Sequence, residues 1–437
     1  MVDLIADLHI HGKYSGGSSK NLDIEELTYY AGLKGVSILA TGDFTYSKWL
    51  SELESKLTFE EDAGIYSFRK DNFKVYFILQ AEVNTVTGDE KRGGKRVHHI
   101  ILAPSFDVVK QIKDVLARYG GLESDARPTL KIPIPEFIEV VKEVDELIEI
   151  IPAHIFTPWY GLLGSFNGYD HIRDCYEDKL SEIHCLETGL SADPTYIQAI
   201  SWLDDYSIIS CSDLHSYYPH RLGREATVFN LKKPSYKEII EAIRLNDERL
   251  KMTIEFKPEE GKYNYDGCRP EHHTNGEDFY SHPFITDKLK NCPICKRKIT
   301  RGVLSRVIQL SDRPLGFKRE KGKPFKYLLP LTEIIAYTYN INSPWSSKVI
   351  EIYRKLVEAY GSEYNLLLSD NLDLSSLTRY VDEKLALNIS AVKRGEFYFD
   401  PPGHDGVYGK LKIGVKEQKV EYKKEDKNIG QRLLTDY

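Results

Sequence analysis

An α/β fold, with a mostly parallel sheet either open or closed into a barrel, is predicted for residues 1–255 of this 437-residue sequence. Three observations carry the prediction. Short apolar runs recur along this part of the chain, amphipathic stretches separate several of them, and His, Asp and Glu stand where the runs end. The length exceeds one ordinary domain, so two or three are expected.

The strand-like runs are Leu4–His9, Val36–Thr41, Val75–Glu82, His98–Ala103, Leu147–His154, Ile183–Glu187 and Ser207–Ser212. A first helix reads as Ile24–Leu33, with Asn21 or Asp23 as N-cap, and another as Pro135–Val144. Residues 256–310 are turn-rich and carry Cys268, His272, His273, Cys292 and Cys295, the makings of a small zinc-binding module. Residues 311–415 form a mixed, mainly helical C-terminal region that contacts DNA in this reading. Its helices are Leu331–Tyr339, Ser347–Tyr360 (ended by Gly361) and Ser375–Leu387, followed by a hairpin-like segment, Gly395–Ile413. Residues 416–437 read as a charged linker and tail.

Hydrophobic content of 41% and charged content of 29% describe a folded, soluble protein. No run approaches the twenty apolar residues of a membrane span. The start, MVDLIADLHIHGKYS, lacks signal-peptide features, so a cytoplasmic location is expected. Six cysteines in such a chain argue against a disulfide framework, and Cys175, Cys185 and Cys211 read as inert core residues. A net charge of −7 excludes a generally basic nucleic-acid binder. Yet from 288 to 326 the chain carries thirteen Lys and Arg, among them Lys296, Arg297, Lys298, Arg301, Arg306, Lys318 and Arg319, opposed by Asp312 and Glu320. That density suits a polyanion.

The strand ends carry the chemistry. His9-x-His11 closes the first run, Asp43 follows the second, and Glu82 ends the third. His98 and His99 begin the fourth, His154 ends the fifth, Glu187 the sixth, and Asp213-x-His215 closes the seventh. In a parallel barrel these ends meet on one face, and i, i+2 spacing puts each pair on one side. Imidazole with carboxylate suits Zn²⁺, Mn²⁺ or Fe²⁺.

DLHIH, the Glu82 strand, His99, AHIF and SDLH resemble, in order, the metal motifs of the PHP phosphoesterase superfamily. The resemblance implies a distorted (β/α)7 barrel holding up to three metal ions, with Mg²⁺ an alternative. It implies one metal on His9, His11, Glu82 and Asp213, a second on Glu82, His99 and His154, and a third on Asp43 and His215. His98 is the alternative to His99. Two departures touch the third metal. Gly42-Asp43-Phe44 stands where the family has T-D-H, and Lys13 and Ser15 stand where a further histidine is usual. Asp193, in TGLSADP, could orient the attacking water, or cap a helix at Pro194.

Cys292-Pro-Ile-Cys295 has the form of a zinc knuckle, and Cys268 with His272 or His273 supplies the second pair. With GKYNYDGCR and PPGHDGVYGK, the combination resembles the endonuclease Q family over essentially the whole chain. That implies metal-dependent incision of DNA 5′ to hypoxanthine, uracil, xanthine or an abasic site. The alternative is a phosphatase of a small phosphate ester, which leaves the basic module without a purpose. Trp159, Tyr160, Asn167 and Tyr169 are candidates to line a pocket for an extruded base. At the C-terminus, Gln431, Leu434 and Tyr437 have the offsets of the peptide that docks on the PCNA sliding clamp, without its second aromatic residue.

Overall fold

The computed structural model describes residues 1–88, 94–286, 288–289, 291–369 and 373–416. Its centre is one open sheet of eleven strands. These are β1 (Val2–Asp7), β2 (Ile38–Ala40), β3 (Thr58–Glu60), β4 (Ile65–Lys70), β5 (Phe73–Thr87), β6 (Lys95–Ala103), β7 (Thr129–Leu130) and β8 (Glu149–Pro152). Two short strands, β9 (Cys185–Glu187) and β10 (Ser207–Ile209), pair with each other in parallel outside it. The sheet then takes in β11 (Ala226–Leu231) and β12 (Leu250–Glu255). After a separate hairpin of β13 (Asp266–Cys268) and β14 (Phe279–Ser281), β15 (Phe325–Tyr327) completes it in parallel with β12. The last pair, β16 (Phe397–Phe399) and β17 (Leu411–Ile413), is antiparallel.

The mostly parallel sheet expected from the sequence is corrected to a mixed one. β1–β2 and β2–β5 are parallel, but β4–β5, β5–β6, β6–β8, β1–β11 and β11–β12 are antiparallel. The connection from β5 to β6 is too short for a helical crossover, and the two strands pair antiparallel. Nor does a ladder close the sheet. Isolated hydrogen bonds span the two gaps: Ile155 N to Glu187 O at 3.1 Å on one side, and Asp213 N to His9 O and His11 N to Leu214 O, both at 3.0 Å, on the other.

Pleat parity separates two apolar layers. Ala81, Val83 and Ile101 face outward against Val109, Ile112 and Phe137 of the helices Phe106–Leu116 and Ile134–Lys142. Leu8, Ile78, Ile100 and Ile151 face the other way and pack with Cys185, Ile209 and Cys211. Burial on that scale contributes roughly 1.5–3 kcal/mol for each large apolar side chain. Cys185 and Cys211, with Cys175 in the first layer, are free buried thiols.

Local signals place the helices. Asp23, not Asn21, caps Ile24–Lys34, accepting from Glu26 N at 3.0 Å. Ser347–Tyr360 begins on the Ser346 cap and ends at Gly361, with φ 84°. The single helix expected at Ser375–Leu387 is instead two, Leu374–Leu377 and Glu383–Lys393, because Asp382 caps a new start by accepting from Leu385 N. A buried ion pair, Lys34 Nζ to Glu363 Oε1 at 2.6 Å, ties the C-terminal helices to the first one. Among the described residues no helix is long and apolar enough to cross a membrane.

Candidate metal centres and the family they define

Seven side chains converge where β1, β5, β6 and β8 meet the turns after β8 and β10. His9 and His11 lie beyond the end of β1 and are fully buried. His9 Nδ1 contacts both oxygens of Glu187 at 3.0 and 3.1 Å, and His11 Nδ1 contacts Asp43 Oδ1 at 3.0 Å. A carboxylate on Nδ1 fixes the tautomer and aims Nε2 inward. Both Nε2 atoms, with Asp213 Oδ1, are buried without a hydrogen-bond partner among the described residues. Three orphaned donors at one point fit a cation.

Glu82 joins the groups. It lies within β5 rather than at its end, with Oε1 at 2.6 Å from His98 Nδ1 and 3.0 Å from His154 Nε2. Its Oε2 lies 3.4 Å from His11 Nε2 and 3.4 Å from Arg127 Nη1. Burial pushes the Glu82 carboxyl up, but His98, His11 and His154 outweigh it and hold the group well below the usual range. Burial likewise favours neutral His9, yet Glu187, Asp213 and Glu82 raise it to about 9. Three sets of ligand atoms lie close enough to share an ion: His9, His11 and Glu82; Glu82, His98 and His154; His11, Asp213 and His215.

The backbone here is forced. Asp43, His154 and Asp213 all have positive φ, 47°, 31° and 46°. Such strain in non-glycine residues collects at functional sites. Gly189, at φ 62°, is required beside His154, since a Cβ would lie 2.3 Å from the His154 Cβ.

Three site assignments read from the sequence change or narrow to one of their alternatives. His99 is not in the cluster: its Nε2 meets Tyr176 OH at 2.9 Å, and burial, then His98, lower it to about 3. The register pairs Glu82 with Ile100 and Asn84 with His98, so His98 shares the Glu82 face and His99 the opposite one. Asp43 backs His11 and accepts from Gly12 N at 2.6 Å; it stands behind a ligand atom rather than among them. Asp193 caps the helix Pro194–Gln198, with Oδ1 taking Tyr196 N at 3.0 Å and Thr195 Oγ1 at 2.6 Å, and Oδ2 taking the Tyr327 hydroxyl. Sequence reasoning placed Glu187 at a strand end without assigning it a ligand, and did not single out Arg127. Glu187 could have been found as the one strand-end carboxylate left over.

The second centre is small. Cys268, His273, Cys292 and Cys295 bring four ligand atoms together. His273 Nε2 lies 3.2 Å from Cys292 Sγ, and Cys268 Sγ lies 3.5 Å from Cys295 Sγ. His273 therefore replaces the expected His272, which sits on the other side of Cys268 near Asp405. Cys295 is pulled down to about 7: burial opposes this, and the Arg297 N–H and the Cys268 and Cys292 thiols outweigh it.

The basic residues divide. Lys296, Arg297, Lys298 and Lys318 are exposed. Arg301 pairs with Asp266 at 2.8 Å. Arg306 is buried, donating to Leu163 O and Tyr169 O, and Arg319 is largely buried beside Asp204, so neither offers a free surface charge. Of the base-pocket candidates, Tyr160 stacks on His98 at 4.6 Å, and exposed Trp159 stacks on Phe166 at 4.9 Å. Asn167 is partly exposed, while Tyr169 is buried under Lys95 and is set aside. Gln431, Leu434 and Tyr437 lie outside the described residues.

A mixed α/β scaffold with a buried imidazole–carboxylate cluster able to hold metal is the arrangement that metal-dependent hydrolases use. Residues 330–396 match the family described as the MJ0043 C-terminal domain. The chain is 34% identical over 290 residues to an uncharacterised protein, MJ0043, of Methanocaldococcus jannaschii, covering 64% of this chain and 33% of that one, so the match spans about a third of that relative. It is 25% identical over 427 residues to the uncharacterised protein YqxK of Bacillus subtilis, covering 94% of this chain and all of the other. Among solved structures, the lesion-specific endonuclease PfuEndoQ from Pyrococcus furiosus is 31% identical with a TM-score of 0.81, covering 97% of this chain and 98% of that one. An endonuclease Q complexed with a 27-mer duplex bearing an abasic lesion at the active site is 30% identical with a TM-score of 0.80, covering 98% and 100%. The chain belongs to the endonuclease Q family. It is a nuclease, a hydrolase acting on DNA.

Proposed function

We propose that this nuclease is lesion-specific, cutting the phosphodiester 5′ to hypoxanthine, uracil, xanthine or an abasic site in DNA repair. The observation that carries the catalytic part is the set of orphaned donors, His9 Nε2, His11 Nε2 and Asp213 Oδ1, gathered around Glu82. The lesion part is supported by the two endonuclease Q structures, one lesion-specific and one holding an abasic duplex.

His9, His11, Glu82 and Asp213 would hold one divalent ion, and Glu82, His98 and His154 a second. His215 with His11 and Asp213 would hold a third. Mn²⁺, Fe²⁺, Zn²⁺ or Mg²⁺ bound there would lower the pKa of a water and neutralise charge developing on phosphorus. Glu187 and Asp43 keep the two Nε2 atoms aimed at that point. Zn²⁺ on Cys268, His273, Cys292 and Cys295 would hold the 256–310 module, whose exposed Lys296, Arg297 and Lys298, with Lys318 beyond it, would meet phosphates. Residues 1–255 would act as a distorted barrel, the gap-spanning hydrogen bonds standing in for a closed ladder, with 311–415 as a supporting region. Trp159, Tyr160 and Asn167 would border an extruded base. The tail, 416–437, would dock on PCNA; deleting residues 430–437 should leave nicking intact and abolish clamp binding in titration calorimetry.

The deciding experiment is a nicking assay on duplexes containing one uracil, hypoxanthine, xanthine or abasic site. Wild type should cut each and spare the undamaged duplex, and chelator should stop it. Glu82→Ala and Asp213→Ala should abolish cutting while DNA binding survives. Equal cutting of undamaged DNA would sink lesion specificity, and undiminished cutting by both variants would sink the metal mechanism.

A further inference from the structure

A cleft of about 460 Å³ opens beside the cluster, bordered by Ser18, Asp213, His215, Arg221, Arg224 and Tyr408. We propose that it is a phosphate clamp, gripping a phosphodiester of the cut strand that neighbours the scissile one. The proposal rests on the endonuclease reading above.

Three separate features point to an anionic ligand. Arg221 is partly exposed, and among the described residues its guanidinium makes neither an ion pair nor a side-chain hydrogen bond. Arg224 is anchored, its Nε and Nη2 donating to Ser212 O at 3.3 and 3.2 Å, which fixes its plane next to Asp213. The Ser18 hydroxyl is buried and has no partner among the described residues. A buried hydroxyl and an unpaired guanidinium on one cleft are costly unless something polar binds there. Glu260 and Glu333 feel both guanidinium charges, but burial pushes both carboxyls toward the neutral acid, so they offset the arginines only in part.

The cleft is assembled from three distant parts of the chain. Ser19 N donates to His215 O at 2.8 Å, joining the loop after β1 to the loop after β10. Tyr218, three residues before Arg221, packs on Trp345 of the C-terminal region at 4.1 Å. Tyr408 arrives from the β16–β17 connection and is 53% exposed, with the Lys262 ammonium 4.6 Å from its ring. Guanidinium forks match phosphate oxygens in a way that ammonium groups do not. Because Asp213 and His215 belong to both cleft and cluster, a strand whose scissile phosphate lies on the cluster can lay its neighbour across the arginines.

The test places a neutral methylphosphonate, one position at a time, at the three phosphates on each side of the cut in an abasic duplex. Nicking kcat/KM is measured for the metal-loaded wild type, Arg221→Ala and Arg221→Lys. In wild type, one position other than the scissile phosphate should lose about tenfold, as expected for a lost charge-assisted contact. In Arg221→Ala the same substitution should cost less than about twofold, and Arg221→Lys should restore part of the sensitivity. The salt slope of DNA binding should flatten by roughly 0.9 in Arg221→Ala. Methylphosphonate profiles that are the same for wild type and Arg221→Ala would overturn the clamp while leaving the endonuclease reading intact. Inhibition by inorganic phosphate that Arg221→Ala abolishes, with no position-specific effect on DNA, would assign the cleft to free phosphate instead and also overturn it. A wild type that cuts no lesion duplex would bring down the endonuclease reading and the clamp together.

Discussion

Around His9 and His11 the protein supplies buried walls, strained turns and orienting carboxylates from its own fold; around Cys268 and Cys292 it supplies little beyond the ligands. The first cluster sits against a core that includes Leu8, Ile100, Ile151 and Cys211. Its imidazoles are held by Glu187 and Asp43. The second has a core of three buried residues, Cys268, Cys292 and Ile299, with Phe279, Leu289 and Ile294 partly buried around it. A core of that size cannot offset the entropy of ordering its loops. A metal held in the first centre would serve chemistry, and one held in the second would serve folding.

The largest effect that would break this comparison lies in the cysteine module. Cys292→Ser should unfold residues near 266–300 locally, because structural zinc supplies on the order of 10 kcal/mol of folding free energy in small modules. Hydrogen exchange should show that loss of protection while β1, β5 and β6 stay protected. An unchanged exchange pattern and zinc content would mean the four ligands are wrong. Chelation should reproduce the same split, with the cluster stripped yet still folded.

The next effect sharpens the role of the carboxylates behind the ligands. Glu187→Gln and Asp43→Asn should each lower metal affinity or nicking by about 10–100-fold, the usual range for groups that orient a ligand. Loss as complete as that of Glu82→Ala would instead make them ligands. Added metal should rescue Glu187→Gln in part and Glu82→Ala not at all.

The smallest effect separates two adjacent histidines. His98→Gln should lower the metal stoichiometry of the cluster. His99→Gln should keep the metal and cost about 1–3 kcal/mol in denaturant unfolding, from the unsatisfied Tyr176 hydroxyl. The reverse pattern would return His99 to the cluster and require a β5–β6 register shifted by one residue.

Much of this protein is local in origin, and that much the sequence determined alone. The helix Ser347–Tyr360 matches its expected bounds, because a serine cap and a terminal glycine act within a turn of themselves. The knuckle Cys292–Cys295 and the i, i+2 pairs His9–His11 and Asp213–His215 are likewise visible as spacing. Tertiary structure decided what depends on register and distance. His98 rather than His99 follows from the register in which β5 pairs with β6, a one-residue choice that reverses every side chain. Glu187 is 178 residues from the imidazole it orients, and Arg221 and Ser18 line one cleft because the loops after β1 and β10 are bonded together. Periodicity and capping report which residues face a common side over a few positions. Which carboxylate binds and which merely holds a ligand depends on atoms brought together by the whole fold, and no local pattern encodes it.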